Sequence, residues 1–494
     1  MDRLDLRRIV RVARSGDTLR AWRMFEQAAG SHAEDDYDLL NLRGRLLKDR
    51  AVAAQGDDRS RLLAESRDAY LSAARRRRAT YPLINAAAIE RLAGNFARAR
   101  EFAAATIALL DQGDHEPDTA YWLAATRAEA ALHTGPVETA ADLLRDAIAL
   151  APDAWEDHAS TLRQFRLLLG CVGADDRWLE QLAPPAALHF SGLIHFDPTI
   201  GGSGRDLADR LDRLRCGFAY GALAAGADIV IAELLVDRGA ELHLVLPARP
   251  DIFRRQSVMP FGDHWGERYD RLLARSASVE VVAQGQDVSL AAVEFAAQVA
   301  MGSAICQARA LEAQAVALRL VDQAAGDAQS SAASDQAWER LGLPLIRVAA
   351  PRSSAPVATI PHAEITAIVA APPARGTTGA APDIFSRIAP EGHHRAADPA
   401  AAARVALDAL ASAPALRLGL TAGPVIGSDD TARLVELAGL IASAAAPGQL
   451  LASRAVGLAL LLLAPELRCE SDQELSTAYG EMPVWTVADV GRDA

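Results

Sequence analysis

Lysine is almost absent from this chain of 494 residues, because Lys48 is the only lysine among 51 basic residues. Together with an excess of alanine, this bias is typical of a high-GC bacterial genome and says little about function. Cysteine is scarce as well: Cys171, Cys216, Cys306 and Cys469 are far apart and form no C-x-x-C pair. This spacing argues against a zinc site or a disulfide framework and favours a reduced compartment.

We also expect no apolar run long enough to cross a membrane. The N-terminus carries charges where a signal peptide needs an apolar core. The most apolar long stretch, residues 218–236, contains Asp228 and Glu233, and residues 458–463 are too few to span a bilayer. The net charge is −13, the pI is near 5.4, and the acidic residues are spread along the chain. We therefore expect a cytoplasmic protein with neither a membrane nor a nucleic-acid partner.

The pattern of apolar residues changes along the chain. Its length of 494 residues suggests about three domains. Residues 1–183 show apolar residues at helical spacing, punctuated by glycine. Similar turn-and-helix starts occur at residues 16–22, 94–100 and 135–141. This pattern predicts a tetratricopeptide-like solenoid, in which each pair of helices buries its apolar face on the next pair.

Two stretches of this helical region, residues 81–87 and 121–130, resemble the TRAFs-binding domain of bacterial signalling proteins. The resemblance implies a scaffold that docks partner proteins. Asn85 and Tyr121 within these stretches are also explained by packing between helices. The arginine run at residues 75–78 could dock an acidic partner or simply form a solvated helix end.

Residues 184–350 alternate short apolar runs with helical patterns and predict a doubly wound parallel sheet of the Rossmann type. Strands are expected at residues 187–194, 216–223, 242–246, 279–282, 315–320 and 345–348. The Ala- and Ser-rich residues 322–336 predict an irregular loop, and residues 351–360 predict a linker.

The string from Gly226 to Glu233, followed by Gly239 and residues 245–247, is similar to the Rossmann-like SLOG superfamily and its nucleoside deoxyribosyltransferase relatives. The resemblance implies a nucleotide-derived ligand and makes Asp228 and Glu233 the acidic groups near it. Loop and turn residues would let a ligand approach the backbone. These candidate ligand-binding residues are Gly192, Gly201, Gly202, Ser203, Gly204 and Gly226.

Each acidic candidate also has a structural explanation. Asp228 could be a helix N-cap, and Glu233 a solvent-facing helix residue. Five residues apart on one regular helix, the two side chains would point about 140° apart. His195 and Asp197 could act as an acid and a base, or belong to a structural loop.

Basic residues in the same region have two interpretations as well. Arg249, Arg254 and Arg255 could clamp a phosphate or be exposed side chains. His243, within the third strand, is expected to face a cleft or a neighbouring layer and to have no chemical role.

Residues 361–494 contain the segments LRLGLTAGPV (416–425), APGQLLAS (446–453) and YGEMPVW (479–485). Their order is similar to the class III adenylate/guanylate cyclase domain, which implies an α+β, ferredoxin-like fold and dimer formation. The first of the two cyclase carboxylates that hold the metal ions is not matched, because the first strand, Glu364 to Val369, runs into Ala-Ala-Pro-Pro. Glu391 could occupy the second acidic position, and no other metal ligand is expected.

The helix after the AGPV segment departs from the cyclase pattern too. Glu436 and Leu440 stand where the resemblance expects the Asn and Arg that stabilise the transition state. An anionic Glu and an apolar Leu cannot stabilise charge on a phosphate. We expect a catalytically inactive cyclase-like module, able to form a homodimer or a heterodimer with an active cyclase.

The sequence thus predicts a cytosolic signalling protein with a protein-docking scaffold, a sensor of a nucleotide-derived ligand and an inactive cyclase module. No catalytic residue and no cofactor are assigned. One alternative is an enzyme whose middle domain hydrolyses a nucleoside or nucleotide N-glycosidic bond, with Asp228 and Glu233 as candidates. A second alternative is residual cyclase activity through Glu391.

Overall fold

The computed structural model divides into two compact units. The first comprises Met1–Pro184 with Ala310–Glu312, and the second Pro185–Arg309 with Ala313–Ala494. The residues that the structure describes are 6, 9–10, 12–13, 18–29, 36–113, 115–194, 196, 203–285, 287–322, 333–351, 363–372, 392–477 and 480–489.

The first unit is built from antiparallel helix pairs in its described residues, which gives it the tetratricopeptide-like character predicted from the sequence. Its helices are α1 (Thr18–Ala29), α2 (Tyr37–Ala53), α3 (Gly56–Arg76), α4 (Thr80–Leu92), α5 (Phe96–Gln112), α6 (Ala120–Thr134), α7 (Val137–Ala149) and α8 (Trp155–Gly170).

Local chemistry fixes where these helices begin and end. Asp36 caps α2 by accepting from the backbone N–H groups of Asp38 (2.8 Å) and Leu39 (3.0 Å). Gly113 ends α5 with φ at 67°, a left-handed conformation that favours glycine. Packing between neighbouring helices buries alanines and leucines such as Ala103 and Leu144 completely, so each pair needs the next one for its core.

The second unit begins with a parallel six-stranded sheet, which confirms the parallel sheet predicted for this region. Its order is β4-β3-β2-β1-β5-β6. The strands are β1 (Ala186–Ser191), β2 (Cys216–Gly221), β3 (Glu241–Leu246), β4 (Ser278–Val281), β5 (Ala315–Asp322) and β6 (Leu345–Ala350). The helices between them are α9 (Ser203–Arg213), α10 (Ala227–Asp237), α11 (Pro250–Ser257), α12 (Asp263–Arg275), α13 (Leu290–Leu311) and α14 (Ala333–Arg340).

Residues 322–336, which were predicted to form an irregular loop, are partly helical, because α14 begins at Ala333. The side chain of Asp335 in its first turn is buried. The low apolar content of this segment had suggested a solvated loop, but Ala337 and Trp338 provide the apolar face that holds α14 in place.

A second six-stranded sheet, of mixed direction and order β11-β12-β10-β9-β7-β8, completes the unit. Its strands are β7 (Glu364–Ala370), β8 (His393–Ala396), β9 (Arg417–Val425), β10 (Gln449–Ser453), β11 (Leu467–Thr477) and β12 (Gly480–Asp489). Its helices are α15 (Pro399–Ser412), α16 (Ser428–Ala444) and α17 (Arg454–Leu463).

Among the described residues, one helix, α13, is long and apolar enough to cross a membrane by length and composition alone. Slightly more than half of its most apolar window is buried within the protein. Gly302 on α13 lies directly against the carbonyl group of Leu458 on the apolar helix α17, where a Cβ atom would have no room. At this point α13 packs directly against α17.

Candidate functional site

The strand order of the parallel sheet reverses at β1, and open α/β sheets have a crevice for ligands at such a topological switch point. β1 pairs with β2 on one side and with β5 on the other, both in parallel. The chain adds β2, β3 and β4 outward from β1 and then crosses to the opposite side for β5. Ligands of open α/β sheets bind at the carboxyl ends of the strands beside such a switch point.

Asp228 lies at this carboxyl edge, in the first turn of α10. Gly226 is the N-cap, with φ at 109° and ψ at −122°, a conformation that essentially only glycine adopts. Asp228 is therefore not the N-cap. Instead, its Oδ2 accepts from the backbone N–H of Ala224 (3.2 Å), which precedes the helix.

The other oxygen of Asp228, Oδ1, is buried and has no hydrogen-bond partner among the described residues. The residue is only 8% exposed. Burial raises the pKa of Asp228 to about 7, while the backbone N–H groups of Ala224 and Gly192 and the charge of Arg319 lower it in part. Such an oxygen is a vacant acceptor at the expected position of a ligand.

Gly192 follows β1 and allows three elements to meet. A Cβ atom at this position would lie 2.5 Å from the Cβ of Ala227 and 2.9 Å from the Cβ of Leu320. The glycine therefore serves the close approach of β1, α10 and β5. Its backbone N–H group lowers the pKa of Asp228 in part, so Gly192 shapes the site without presenting a side chain.

Arg319, near the carboxyl end of β5, forms an ion pair with Asp335, and its charge lowers the pKa of Asp228 in part. We use the name edge cluster for these three residues (Asp228, Arg319 and Asp335). Arg319 stands opposite Ser191 in the register of β1 and β5. Its guanidinium forms an ion pair with Asp335, which is 1% exposed. Oδ1 of Asp335 is buried without a partner among the described residues, as is Oδ1 of Asp228.

Sequence reasoning missed both additional members of the edge cluster. A signal was available for Arg319, because it is a charged residue inside an otherwise apolar strand, AVALRLV. Such a residue needs a buried partner or a ligand. Asp335 gave no signal, because its segment has the composition of a loop.

Glu233, the second acidic candidate, is not brought to this cluster. Arg268 donates to it from Nε (2.9 Å) and Arg271 from one terminal nitrogen (3.3 Å), so Glu233 links α10 to α12. Asp228 and Glu233 lie on the same helix, and the structure engages them on different faces.

The remaining predicted positions are partly outside the described residues. His195, Asp197, Gly201, Gly202 and Glu391 belong to that group. Ser203 and Gly204 begin α9.

Two of the basic and histidine candidates near the sheet, Arg254 and His243, have protein partners. Arg254 forms two hydrogen bonds with Asp270 (2.9 and 2.8 Å) and joins α11 to α12. His243 stacks on Tyr220 with ring centroids 4.9 Å apart, and its Nδ1 lies 2.9 Å from Oγ of Ser278. Both side chains therefore contact other residues of the protein.

The helical unit contains a second buried polar group, here called the interhelical network (Lys48, Asn85, Glu129 and Gln164). Lys48 donates to Oδ1 of Asn85 (3.2 Å) and to Oε1 of Gln164 (3.1 Å). Gln164 donates in turn to Glu129 (2.9 Å). Burial lowers the pKa of Lys48 and raises that of Glu129 to about 7. The four residues come from α2, α4, α6 and α8, so they join alternate helices of the unit.

The C-terminal sheet offers few groups for phosphate chemistry. β7 ends at Ala370 and is followed by Ala371 and Pro372, without an acid. Glu436 and Leu440 lie exposed on α16. Within the described part of the chain, no group of three or more His, Cys, Asp or Glu residues could hold a metal ion.

Comparisons with known proteins bear mainly on the helical region. A family model described as Tetratricopeptide Repeats-Sensor matches residues 3–90. No curated protein matches the sequence. The N-terminal region is thus of the tetratricopeptide-repeat type, whereas the TRAFs-binding and SLOG resemblances stay predictions.

Two solved structures show limited similarity. One is the catalytic core of a rhodopsin-guanylyl cyclase, with 14% identity over 25% of this chain and 95% of that chain, and a TM-score of 0.19. The other is a Thermobaculum terrenum O-GlcNAc transferase mutant, with 14% identity over 56% of this chain and 45% of that chain, and a TM-score of 0.19.

Proposed function

We propose that this protein is a regulatory protein that senses a small nucleotide-derived ligand and docks partner proteins. The ligand would bind at the edge cluster of the parallel sheet, and the partners would bind the helical repeat unit. The single observation that carries the sensing role is Oδ1 of Asp228, a buried acceptor at the switch point that has no hydrogen-bond partner within the described part of the chain.

The helical unit supports the docking role, because stacked helix pairs form extended surfaces that bind other proteins. The match of residues 3–90 to the Tetratricopeptide Repeats-Sensor family model supports a combination of docking and sensing. A protein that couples a ligand site to a docking surface has no need to turn the ligand over.

A thermal-shift screen tests the sensing role directly. The full chain is heated with ATP, GTP, NAD, ADP-ribose and cyclic nucleotides, each with and without magnesium. A ligand that binds only the folded state raises the melting temperature by mass action. We expect a shift with at least one of these compounds that Asp228→Asn abolishes and Asp237→Asn, an exposed position on the same helix, preserves. No shift at millimolar ligand would refute the sensing role.

A hydrolase that cleaves an N-glycosidic bond is the second candidate function. Burial raises the pKa of Asp228 to about 7, so this carboxyl could donate a proton to a leaving base near neutral pH. Incubation with nucleosides, NAD and nucleotides, followed by chromatographic detection of the free base, tests it. Turnover that survives Asp228→Asn would exclude Asp228 as the acid.

For the C-terminal region we propose a dimerisation or regulatory module without cyclase activity. The absence of an acid after β7 and the residues Glu436 and Leu440 on α16 support this role. Light scattering of the full chain measures its oligomeric state. Metal-dependent formation of cyclic AMP or cyclic GMP would contradict the proposal.

A further inference from the structure

The turn between α3 and α4 concentrates positive charge on the helical unit. Residues 75–81 have the sequence RRRRATY, with four arginines and no acid, in a chain whose net charge is −13. All four arginines are exposed. Arg75 and Arg76 lie in the last turn of α3, where cations stabilise the helix dipole, but Arg77 and Arg78 follow the helix. The end of α3 therefore does not explain the whole run.

Arg75 and Arg77 contact neutral groups, and no carboxylate, within the described part of the chain. Arg75 donates to Oγ of Ser72 (2.8 Å), and the guanidinium of Arg77 lies over the ring of Tyr37, 5.5 Å from its centroid. Arg61, which is also exposed on α3, instead forms ion pairs with two carboxylates of the same helix. The charges of Arg75 and Arg77 are thus not offset by a paired anion among these residues.

One carboxylate does contact the start of α4, but hydrogen bonds from that helix engage it. Glu116 accepts from the backbone N–H groups of Thr80 (2.7 Å) and Tyr81 (2.9 Å) and from the hydroxyl group of Thr80 (3.1 Å). The positive end of the helix dipole also offsets its charge. Glu116 therefore fixes the start of α4 and leaves the guanidinium groups of Arg75 and Arg77 to bind an anion from outside.

Tyr81 adds an ordered aromatic ring to the same turn. Its side chain is 41% exposed, and its ring meets the ring of the buried Tyr70 edge-on, with centroids 6.2 Å apart. Tyr37 orders Arg77 similarly, because an aromatic face attracts a cation. Side chains that are already held in place lose less conformational freedom on binding, and tyrosine and arginine are enriched at the centres of protein interfaces. We call these residues the Arg–Tyr surface (Tyr37, Arg75, Arg77 and Tyr81).

The chemistry of the Arg–Tyr surface favours a peptide that carries carboxylates. A guanidinium presents a planar fork of N–H donors that matches a carboxylate. An exposed aromatic ring beside the cations offers a contact for an apolar side chain of the same peptide. Nucleic acid would need a longer basic stripe to follow its phosphates, and the net charge of −13 opposes its approach.

We propose that the Arg–Tyr surface docks an acidic peptide segment of a partner protein. Carboxylates of the segment bind Arg75 and Arg77, and a neighbouring apolar side chain packs on Tyr81. This proposal rests on the proposed docking role of the helical unit and specifies the chemistry of the partner. It is independent of the edge cluster and its ligand.

Fluorescence anisotropy of the full chain with three labelled peptides tests the proposal. The first peptide repeats Glu-Glu-Leu-Ala, the second has Gln in place of Glu, and the third has Lys in place of Glu. A labelled single-stranded DNA of similar length is measured beside them. We expect the acidic peptide to bind about tenfold or more tightly than the neutral peptide and the DNA, and added salt to weaken its binding.

Charge reversal locates the binding surface. The double variant Arg75→Glu/Arg77→Glu should lose about tenfold or more in affinity for the acidic peptide and gain affinity for the lysine peptide. A misfolded variant would not gain that binding, so the gain separates a lost surface from a lost fold. Arg23→Glu/Arg100→Glu, at exposed positions on α1 and α5, changes the net charge equally and should alter neither affinity. Tyr81→Ala should weaken binding of the acidic peptide several-fold.

Four outcomes would overturn the proposal, and they separate it from the docking role. Equal affinity of the acidic peptide for the unmodified protein and the Arg75→Glu/Arg77→Glu variant would reject the Arg–Tyr surface, while the docking role would stand. Equal affinity for the acidic and neutral peptides would reject the acidic partner in the same way. Tighter binding of the DNA would assign the surface to nucleic acid. If no peptide bound the unmodified chain, the surface and the docking role would both fail.

Discussion

The interhelical network and the edge cluster are both buried polar groups, but only one of them is complete. In the interhelical network each hydrogen bond leads to the next, from Asn85 through Lys48 and Gln164 to Glu129. In the edge cluster two carboxylate oxygens lack donors among the described residues. A fully hydrogen-bonded network joins helices and specifies their packing. A buried acceptor without a donor instead destabilises the fold, and a ligand that supplies the donor recovers that free energy on binding. The difference separates a structural device from a candidate site.

The largest expected effect comes from removing the cation of the edge cluster. Arg319→Met leaves Asp335 buried without its partner, which should destabilise the fold by about 3–5 kcal/mol. Hydrogen exchange of peptides that cover β5 and α14, followed by mass spectrometry, reports this loss locally.

Arg347 is a matched control, because it stands opposite Arg319 in the register of β5 and β6. Its ion pair with Glu339 is solvent-accessible, with side chains 37% and 45% exposed. Arg347→Met should therefore cost below about 1 kcal/mol. Similar exchange rates in the two variants would show that the ion pair of Arg319 is no more important than a surface pair.

The second effect is a pH dependence of the helical unit. Burial raises the pKa of Glu129 from its ordinary value of 4.5 to about 7. Because the folded-state pKa is the higher one, the stabilisation is present below about pH 4.5 and is lost as the pH rises through 7. The loss should be on the order of 2–3 kcal/mol.

Thermal denaturation followed by circular dichroism at 222 nm between pH 5 and 8 measures this slope. Glu129→Gln should flatten it, and Glu138→Gln, at an exposed position on α7, should not. A slope that is equal in all three proteins would mean that another group is responsible.

Much of the architecture could be predicted from the sequence, because alternation of short apolar runs and helical periods is a local signal. The strand expected at residues 345–348 is observed at Leu345–Ala350, and the strand expected at residues 315–320 is observed at Ala315–Asp322. The candidate site was predicted less completely. Asp228 was proposed as a ligand group, but its partner-free oxygen depends on the distant residues that surround it, which no local pattern encodes. For the same reason Arg319 and Asp335, sixteen residues apart, could not be paired in advance.

The third effect concerns the cation of the interhelical network. Lys48→Met removes the donor to Oδ1 of Asn85 and Oε1 of Gln164, which should cost about 1–3 kcal/mol. Hydrogen exchange in peptides from α2, α4 and α8 should accelerate together, since the network joins these helices. Arg43→Met, on the same helix α2, should change stability by less than about 0.5 kcal/mol. Acceleration confined to α2 would show that the network does not couple the helices.

The smallest loss of stability is expected at Asp228, where a replacement should stabilise the fold, and this variant is the most informative one. Asn keeps the size of the side chain and an oxygen that can accept from Ala224. The folded-state pKa of Asp228 is raised from 3.8 to about 7, so this carboxyl destabilises the fold progressively as the pH rises between these two values. Asp228→Asn should therefore stabilise the fold at pH 6 and stabilise it further at pH 8.

Ligand binding should change in the opposite direction. An ionised carboxylate is a stronger acceptor for hydroxyl donors than a protonated carboxyl group. Nucleoside affinity of the unmodified protein should therefore rise by up to about tenfold between pH 6 and pH 8, and Asp228→Asn should remove that rise. Urea denaturation and isothermal titration at the two pH values give both quantities. A replacement that stabilises the fold while weakening the ligand is typical of a residue retained for function. If Asp228→Asn instead weakened the fold at pH 8, Asp228 would belong with Glu129 among the structural groups, and the contrast between the two clusters would disappear.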